Sequence, residues 1–199
     1  MTRLHLVVEP GRIGDFLQLF RTGVGVAVRV GRTLNDLLCG QFELDESYVD
    51  RRITTIFLDG KPVDAVGTAR IREGSVVALS AAMPGLAGAI LRRGSALASL
   101  RANVTCEDGG SEDLERDGVI TVKLFNLLAP ELAPEFLRRG ILLPAAEAGA
   151  FFRQRPPEFW DGCREILLDG KRVEASLLTD GSWAPSGDPV ELSAALGGA

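Results

Sequence analysis

The sequence contains one histidine, His5, and three cysteines among 199 residues. Ser-His-Asp, Cys-His and multi-histidine metal sites each need an imidazole placed next to its partners, so a single histidine excludes most of them. The cysteines are Cys39, Cys106 and Cys163, and their separations of 67 and 57 residues fit neither a Cys-x-x-Cys metal site nor a disulfide framework. We therefore expect no metal site, and a reducing, cytoplasmic location.

Long apolar segments are also missing. The uncharged stretch Val76 to Leu91 has 16 residues and is interrupted by Pro84 and Gly85. A membrane-spanning helix needs about 20 predominantly apolar residues. Charged residues at positions 9, 12 and 15 interrupt what would be the apolar core of a secretory signal. We expect neither a membrane span nor a signal peptide.

Positive charge is in deficit. Lys and Arg number 22 against 27 Asp and Glu, which gives a net charge of −5. A surface of that sign repels phosphate backbones, so the composition argues against nucleic-acid binding. The stretch Gly23-Val24-Gly25 lacks the third glycine of a dinucleotide fingerprint, and the chain has no phosphate-binding loop. We therefore expect no nucleotide cofactor, while the 46% of apolar residues is enough to form a core.

An internal repeat is the strongest pattern present. Residues 56–63 (IFLDGKPV) match residues 166–173 (ILLDGKRV) at six of eight positions, with an offset of 110. Residues 77–82 (VALSAA) match residues 190–195 (VELSAA) at five of six positions, with an offset of 113. Two unrelated hairpins would explain the first match but not a second one in the same order. The repeat therefore predicts a tandem duplication.

The local patterns of the two copies predict the same order of elements. Strands are predicted where β-branched and aromatic residues alternate or cluster, and helices where apolar residues recur at helical spacing. In copy one the predicted strands are residues 3–8, 24–30, 53–58 and 75–81, with a helix that Thr33 begins. In copy two they are residues 119–125, 141–143, 165–168 and 190–194, with a helix over 145–154. Residues 13–20 suit a helix, and residues 127–138 have a helical composition that Pro130 and Pro134 interrupt.

Domain boundaries follow from this repeat. We expect one domain at residues 1–85 and another at residues 118–199. Between them, residues 86–117 form a connector that begins with small residues and ends in an acidic, glycine-containing tether. The connector is the least structured part of the predicted organisation.

The order of elements resembles the ubiquitin-like β-grasp fold. Copy two resembles the sulfur-carrier proteins of molybdopterin and thiamine synthesis in residues 122–125 (VKLF), 168–173 (LDGKRV), 187–190 (GDPV) and the terminal Gly197 and Gly198. Copy one resembles them in residues 59–63 and 74–79. The resemblance implies an α+β protein of two tandem β-grasp domains.

The resemblance also implies a chemistry for the C-terminal tail. In that family an adenylating enzyme activates the carboxylate of the terminal Gly-Gly pair, which becomes a thiocarboxylate that donates sulfur. Gly197 and Gly198 match the pair, whereas Ala199 departs from it and would have to be removed first. Copy one has Pro84 and Gly85 at the matching place and continues, so it carries no free carboxylate.

Other polar residues suit structural roles. Asp59 and Asp169 occupy Asp-Gly turns, where Asp is favoured for backbone reasons. Ser80 and Ser193 recur in the repeated segments, but neither copy offers a histidine beside its serine, so both are expected to pack at strand ends. His5 is expected to be a structural residue of its strand. No catalytic residue is predicted.

Two tryptophans in copy two allow two interpretations. Trp160 and Trp183 lie in segments rich in Pro and Gly. They either form an exposed recognition rim or pack beneath the longer loop of copy two.

We expect a non-catalytic, ubiquitin-like protein-interaction module. Its partner is a protein, such as an adenylating activating enzyme, or a second copy of the chain. The candidate contact surface consists of apolar residues of the connector region: Met83, Leu86, Ile90 and Leu91. The alternatives are a sulfur carrier acting through Gly197 and Gly198, and a hydrolase or transferase that uses Asp and Ser residues in a cleft between the domains.

Overall fold

The computed structural model describes residues 1–81, 85–96, 114–181, 183 and 187–197. The chain is a mixed α/β protein. Its described strands are β1 (Thr2–Val8), β2 (Val24–Val30), β3 (Thr55–Leu58), β4 (Lys61–Pro62), β5 (Val76–Ser80), β6 (Arg116–Phe125), β7 (Ile141–Pro144), β8 (Cys163–Leu168), β9 (Lys171–Arg172) and β10 (Pro189–Leu196).

Short helices connect these strands. They are α1 (Leu17–Thr22), α2 (Glu46–Arg51), α3 (Gly85–Leu91), α4 (Leu128–Arg139), α5 (Ala145–Arg153), α6 (Pro157–Asp161) and α7 (Ala175–Asp180). A 3₁₀ helix spans Pro10–Phe16 and a π-helical turn spans Asp36–Gln41. The helix predicted to begin at Thr33 does so with reciprocal hydrogen bonds, because Asp36 N–H donates to Thr33 Oγ1 (3.1 Å) and Thr33 Oγ1 donates to Asp36 Oδ2 (2.7 Å).

The chain divides into two compact units. Unit 1 consists of Met1–Leu19 and Pro130–Ala199, and unit 2 is the continuous segment Phe20–Ala129. In unit 1 the strands follow one another across the sheet in the order β7-β10-β1-β8-β9, and in unit 2 in the order β4-β3-β5-β6-β2. Among the described strands each unit has one parallel pair, β1 with β10 and β5 with β6, and the other strands paired within a unit are antiparallel.

The first strand of each repeat pairs with strands of the other repeat. β1 lies between β8 and β10, which belong to copy two. β6 is the first strand of copy two, yet it lies between β2 and β5 of copy one. The compact units therefore differ from the expected ranges 1–85 and 118–199, because unit 1 draws on both ends of the chain.

The closing strands of the two repeats are both interior strands, but they have different neighbours. β5 lies next to β3, the first strand of the Asp-Gly hairpin of its repeat. β10 does not contact the matching strand β8, because β1 lies between them. The units thus share an arrangement of strands but not the path of the chain through it.

The Asp-Gly turns show which strands occupy equivalent places. Both turn residues have positive φ angles, 51° and 80° at Asp59 and Gly60 and 49° and 77° at Asp169 and Gly170, which confirms the predicted turn chemistry. The Asp59 carboxylate accepts a hydrogen bond from the backbone N–H of Val76, the first residue of β5, at 2.7 Å. Asp169 accepts one in the same way from Arg3 of β1, at 2.8 Å. β1 therefore occupies in unit 1 the place that β5 occupies in unit 2.

We expect Asp59→Ala to destabilise unit 2 by about 1–3 kcal/mol. The substitution removes the acceptors of the Val76 N–H and the Ser75 hydroxyl, and it places a residue that disfavours positive φ at 51°. Asp59→Asn keeps an acceptor oxygen and tolerates positive φ, so its loss is expected to be smaller. Urea unfolding of the wild type and both variants measures the difference. Equal unfolding midpoints for Asp59→Ala and the wild type would show that the turn does not hold β5 in place.

Each unit has its own core on one face of its sheet. In unit 2 buried side chains of the helical segments face buried side chains of the strands; they include Leu34, Leu37, Leu38, Val49, Ile56, Leu79, Val122 and Leu124. In unit 1 the corresponding layer is aromatic, with Phe16, Phe151, Phe152 and Phe159 against the sheet residues Leu4, Leu6, Leu143 and Leu192. Trp183 is buried and donates from Nε1 to the carbonyl of Leu178 (3.2 Å), so it packs rather than forming an exposed rim.

Candidate functional site

The face of the unit 1 sheet opposite the aromatic core carries polar side chains. β1 alternates strictly, so Leu4, Leu6 and Val8 are buried while Arg3 and His5 point to the other face. The parallel register places Arg3 opposite Glu191 and His5 opposite Ser193. Two matched polar pairs therefore lie side by side on adjacent strands.

His5 and Ser193 are in direct contact. The Nδ1 atom of His5 lies 2.8 Å from Oγ of Ser193, and the pair is partly buried. When the ring proton is on Nε2, the Ser193 hydroxyl is the donor and Nδ1 the acceptor. This is the separation at which an imidazole can take a proton from a hydroxyl group.

Charged groups surround this pair. Arg3 donates from Nε to Glu191 Oε2 at 3.2 Å, and its side chain is 74% exposed. The N-terminal amine lies 3.6 Å from a carboxylate oxygen of Asp188. The polar pairs, together with Met1, Leu167 and the Asp169-Gly170 turn, line a basin of about 640 Å³. A basin of this size suits a small molecule or a few residues of a partner.

Gly197, the first residue of the predicted carrier tail, is held in place. Its N–H donates to the carbonyl of Val8 (2.9 Å). A methyl group at this position would meet side-chain atoms of Arg164 and Val7 at 3.0 and 3.1 Å, so only a glycine fits here without displacing them. Gly198 and Ala199 lie outside the described residues.

The predicted contact residues lie on α3 of unit 2, except Met83, which is outside the described residues. Leu86 is 70% exposed, and Ile90 and Leu91 are partly buried. Arg93 anchors the segment that follows α3, because its backbone N–H donates to the carbonyl of Thr54 (2.8 Å) and its guanidinium donates to the carbonyl of Val49 (3.2 Å).

The described thiols are poor nucleophiles. Burial raises the pKa of Cys163 to about 11, and its Sγ donates to the carbonyl of Phe159 (3.4 Å). Burial, with a smaller contribution from nearby carboxylates such as Glu46, also raises the pKa of Cys39. Neither thiol is therefore a candidate for covalent chemistry at neutral pH.

The expectation that Ser193 has no histidine beside it is wrong. It rests on comparing each serine with its own repeat, whereas the structure places β1 of copy one against β10 of copy two. One signal in the sequence was available: Arg3 and His5 share one face of β1, and Glu191 and Ser193 share one face of β10. Matching the charges of Arg3 and Glu191 across two parallel strands would have placed His5 opposite Ser193.

Within the described parts of the chain, no three His, Cys, Asp or Glu side chains are grouped so that they could hold a metal ion. None of the helices in those parts combines the length and apolar character needed to span a membrane. Comparison of the chain with protein-family models, with curated proteins and with solved structures finds no match.

Proposed function

We propose that the chain is a ubiquitin-like protein-interaction module built from two β-grasp units, each of which contains the first strand of the other repeat. The supporting feature is the common arrangement of the two sheets. In each, a central parallel pair is flanked by an antiparallel strand on one side and an Asp-Gly hairpin on the other. The helical segments between β2 and β3 in unit 2, and between β7 and β8 in unit 1, supply buried side chains to the core of their unit.

The open face of the unit 2 sheet is the observation that carries an interaction function. Register places Phe57 next to Ala78, Val76 next to Thr121, and Val119 next to Ala27. These side chains are partly or fully exposed and mostly apolar, although a sheet face turned to water is normally polar, and Lys123 lies beside Ala78 on the same face. A protein partner that covers this face would remove the apolar groups from water.

The α3 surface supports the same function. Leu86 is exposed on α3. In the segment that follows α3, Arg93 donates hydrogen bonds to the carbonyls of Val49 and Ile53 and so fixes that segment to the end of α2. A large apolar side chain on an anchored element loses little conformational freedom when it is buried by a partner. Leu86, Ile90 and Leu91, with Met83, therefore remain the second proposed contact.

The backbone hydrogen bond of Gly197 argues against the sulfur-carrier alternative. Carrier chemistry needs a tail that can extend into the active site of an activating enzyme, and the hydrogen bond from Gly197 to Val8 opposes that extension. Intact-protein mass spectrometry separates the two functions. A carrier would lose Ala199 and then gain the mass expected when one oxygen is replaced by sulfur.

Val119→Lys is expected to abolish co-purification of the partner with the full-length chain while leaving the fold intact. Val119 is 37% exposed, so a lysine there places a charge on the apolar face at little cost to unit 2. Leu114→Lys is the matched control, because Leu114 is 89% exposed and precedes β6. Co-purification is followed by quantitative mass spectrometry, with thermal unfolding as the check on folding.

Leu86→Asp and Ile90→Asp provide the corresponding test of the α3 surface. Loss of the same partner in these variants would place both surfaces in one interface. Identical sets of captured proteins for the wild type, Val119→Lys and both α3 variants would contradict the proposed function.

A further inference from the structure

We propose that Ser193 and His5 form a nucleophile and base that accept the acyl group of a small ester. This activity goes beyond protein interaction and resides in unit 1 alone. Its basis is geometric: the two side chains are 2.8 Å apart, both line the same basin, and they meet because β1 and β10 are paired in register.

The other repeated serine shows that this contact is specific to unit 1. Ser80 holds the position in copy one that Ser193 holds in copy two. It is buried, with 4% of its surface exposed, and it accepts a hydrogen bond from Asn126 Nδ2 at 3.0 Å. One serine therefore faces a basin with a base beside it, and the other is covered and bonded to an amide, which cannot act as a base at neutral pH.

The reaction divides into two balanced steps. In the first, Oγ of Ser193 forms a bond to the ester carbonyl carbon, the proton of the hydroxyl passes to Nδ1 of His5, and the ester C–O bond breaks as that proton passes to the leaving alcohol. In the second, His5 takes a proton from water, whose oxygen attacks the acyl carbon. The bond from that carbon to Oγ of Ser193 then breaks, the proton passes from His5 to Oγ, and the acid is released. Neither step needs an oxidant, a metal or a further reactant.

Arg3 supplies the positive charge that the reaction favours. Its Nε is engaged by Glu191, and the exposed guanidinium lies on the same face of β1 as His5. Negative charge develops on the carbonyl oxygen in the transition state, and cationic donors stabilise it. The basin, of about 640 Å³, is large enough to hold a small acyl group.

Labelling with a fluorophosphonate probe tests the proposal on the full-length chain. The probe forms a stable phosphonyl ester with an activated serine, and peptide mass spectrometry locates the modified residue. We expect labelling at Ser193 and none at Ser80, with Ser193→Ala unlabelled and Ser80→Ala labelled as the wild type is. His5→Gln, which retains a hydrogen-bonding side chain but no base, is expected to slow labelling about 100-fold.

Absence of labelling at Ser193 in the wild type overturns the proposal, as does a labelling rate that His5→Gln leaves unchanged. Labelling of Ser80 at the rate of Ser193 overturns it too. If His5→Gln proves unfolded by circular dichroism, the wild-type comparison of Ser193 with Ser80 still decides. Hydrolysis of p-nitrophenyl acetate, lost in Ser193→Ala and kept in Ser80→Ala, tests the second step. Failure of this activity leaves the interaction function unaffected, because Val119 and α3 belong to unit 2.

Discussion

Residues 20–129 are expected to fold when they are expressed alone, whereas residues 130–199 are expected to stay unfolded until a peptide of residues 1–19 is added. Unit 2 is continuous in the chain and contains all five strands of its sheet order. Unit 1 has its strand β1 at the other end of the chain, between β8 and β10. Removing β1 therefore divides its sheet through the middle.

Unit 1 depends on β1 for its stability because β1 pairs with a strand on each side, β10 and β8. In the fragment 130–199, which lacks β1, β7 can still pair with β10 and β8 with β9. Two-stranded sheets of this kind are marginally stable in water. The buried side chains Leu4, Leu6 and Val8 are lost as well, and each contributes about 1.5–3 kcal/mol when it is fully buried. Together they contribute about 4.5–9 kcal/mol, which is comparable with the whole stability of a typical domain, about 5–15 kcal/mol.

Circular dichroism and the dispersion of amide signals in NMR spectra measure the outcome. A peptide of residues 1–19 that carries Leu6→Asp is the matched control and should not restore folding, since Leu6 is completely buried. Fragments cut at the boundaries of the repeat, residues 1–85 and 118–199, test the same point from the other side. Independent folding of either would show that each repeat can use its own first strand and would contradict the exchange.

Local elements follow from the sequence because their causes are local. The strand at residues 24–30 is confirmed as β2, and the helix predicted over 145–154 is α5. The Asp-Gly turns are confirmed by their positive φ angles. In each case hydrophobic periodicity or turn chemistry within a few residues is enough to specify the element.

In helix α4, burial of apolar side chains outweighs the tendency of proline to interrupt a helix. The sequence predicts that Pro130 and Pro134 interrupt it, but the helix runs unbroken over Leu128–Arg139. Pro130 lies in the first turn, where the backbone N–H has no intrahelical acceptor, so only Pro134 removes a hydrogen bond. Burial of the apolar side of the helix offsets that loss: Leu128, Ala129, Leu132, Ala133, Phe136 and Leu137 are all buried.

The neighbours of the strands could not be predicted in the same way. Alternation specifies which face of β1 or β6 is buried, but not which strand lies beside it. Both strands have an apolar stripe of similar length, so their patterns do not distinguish the places that they take in the two sheets. Pairing across more than 160 residues is a property of the whole fold, and the contact between His5 and Ser193 depends on it. For this reason the sequence does not predict the candidate site, although it singles out His5 and Ser193 individually.

Phe152→Ala is expected to produce the largest effect of a single substitution on unit 1. Phe152 is completely buried on α5, with ring centroids of Phe151, Trp160 and Trp183 at 4.9, 5.9 and 5.9 Å. Replacing a buried phenylalanine by alanine costs about 3–5 kcal/mol, because the contacts are lost and a cavity remains. For a unit of this size that corresponds to a fall in Tm of roughly 15 °C or more.

Phe125→Ala is the matched control for this substitution. Phe125 ends β6 in unit 2 and is 37% exposed, so its replacement should cost less than about 1 kcal/mol. Calorimetry of the full-length variants separates the two cases, because Phe152→Ala should lower the transition of unit 1 and leave that of unit 2 in place. A small effect of Phe152→Ala would mean that the aromatic side chains do not form the centre of unit 1. The stability of unit 1 would then have to come chiefly from the pairing of β1 with β8 and β10, which the fragment experiment measures separately.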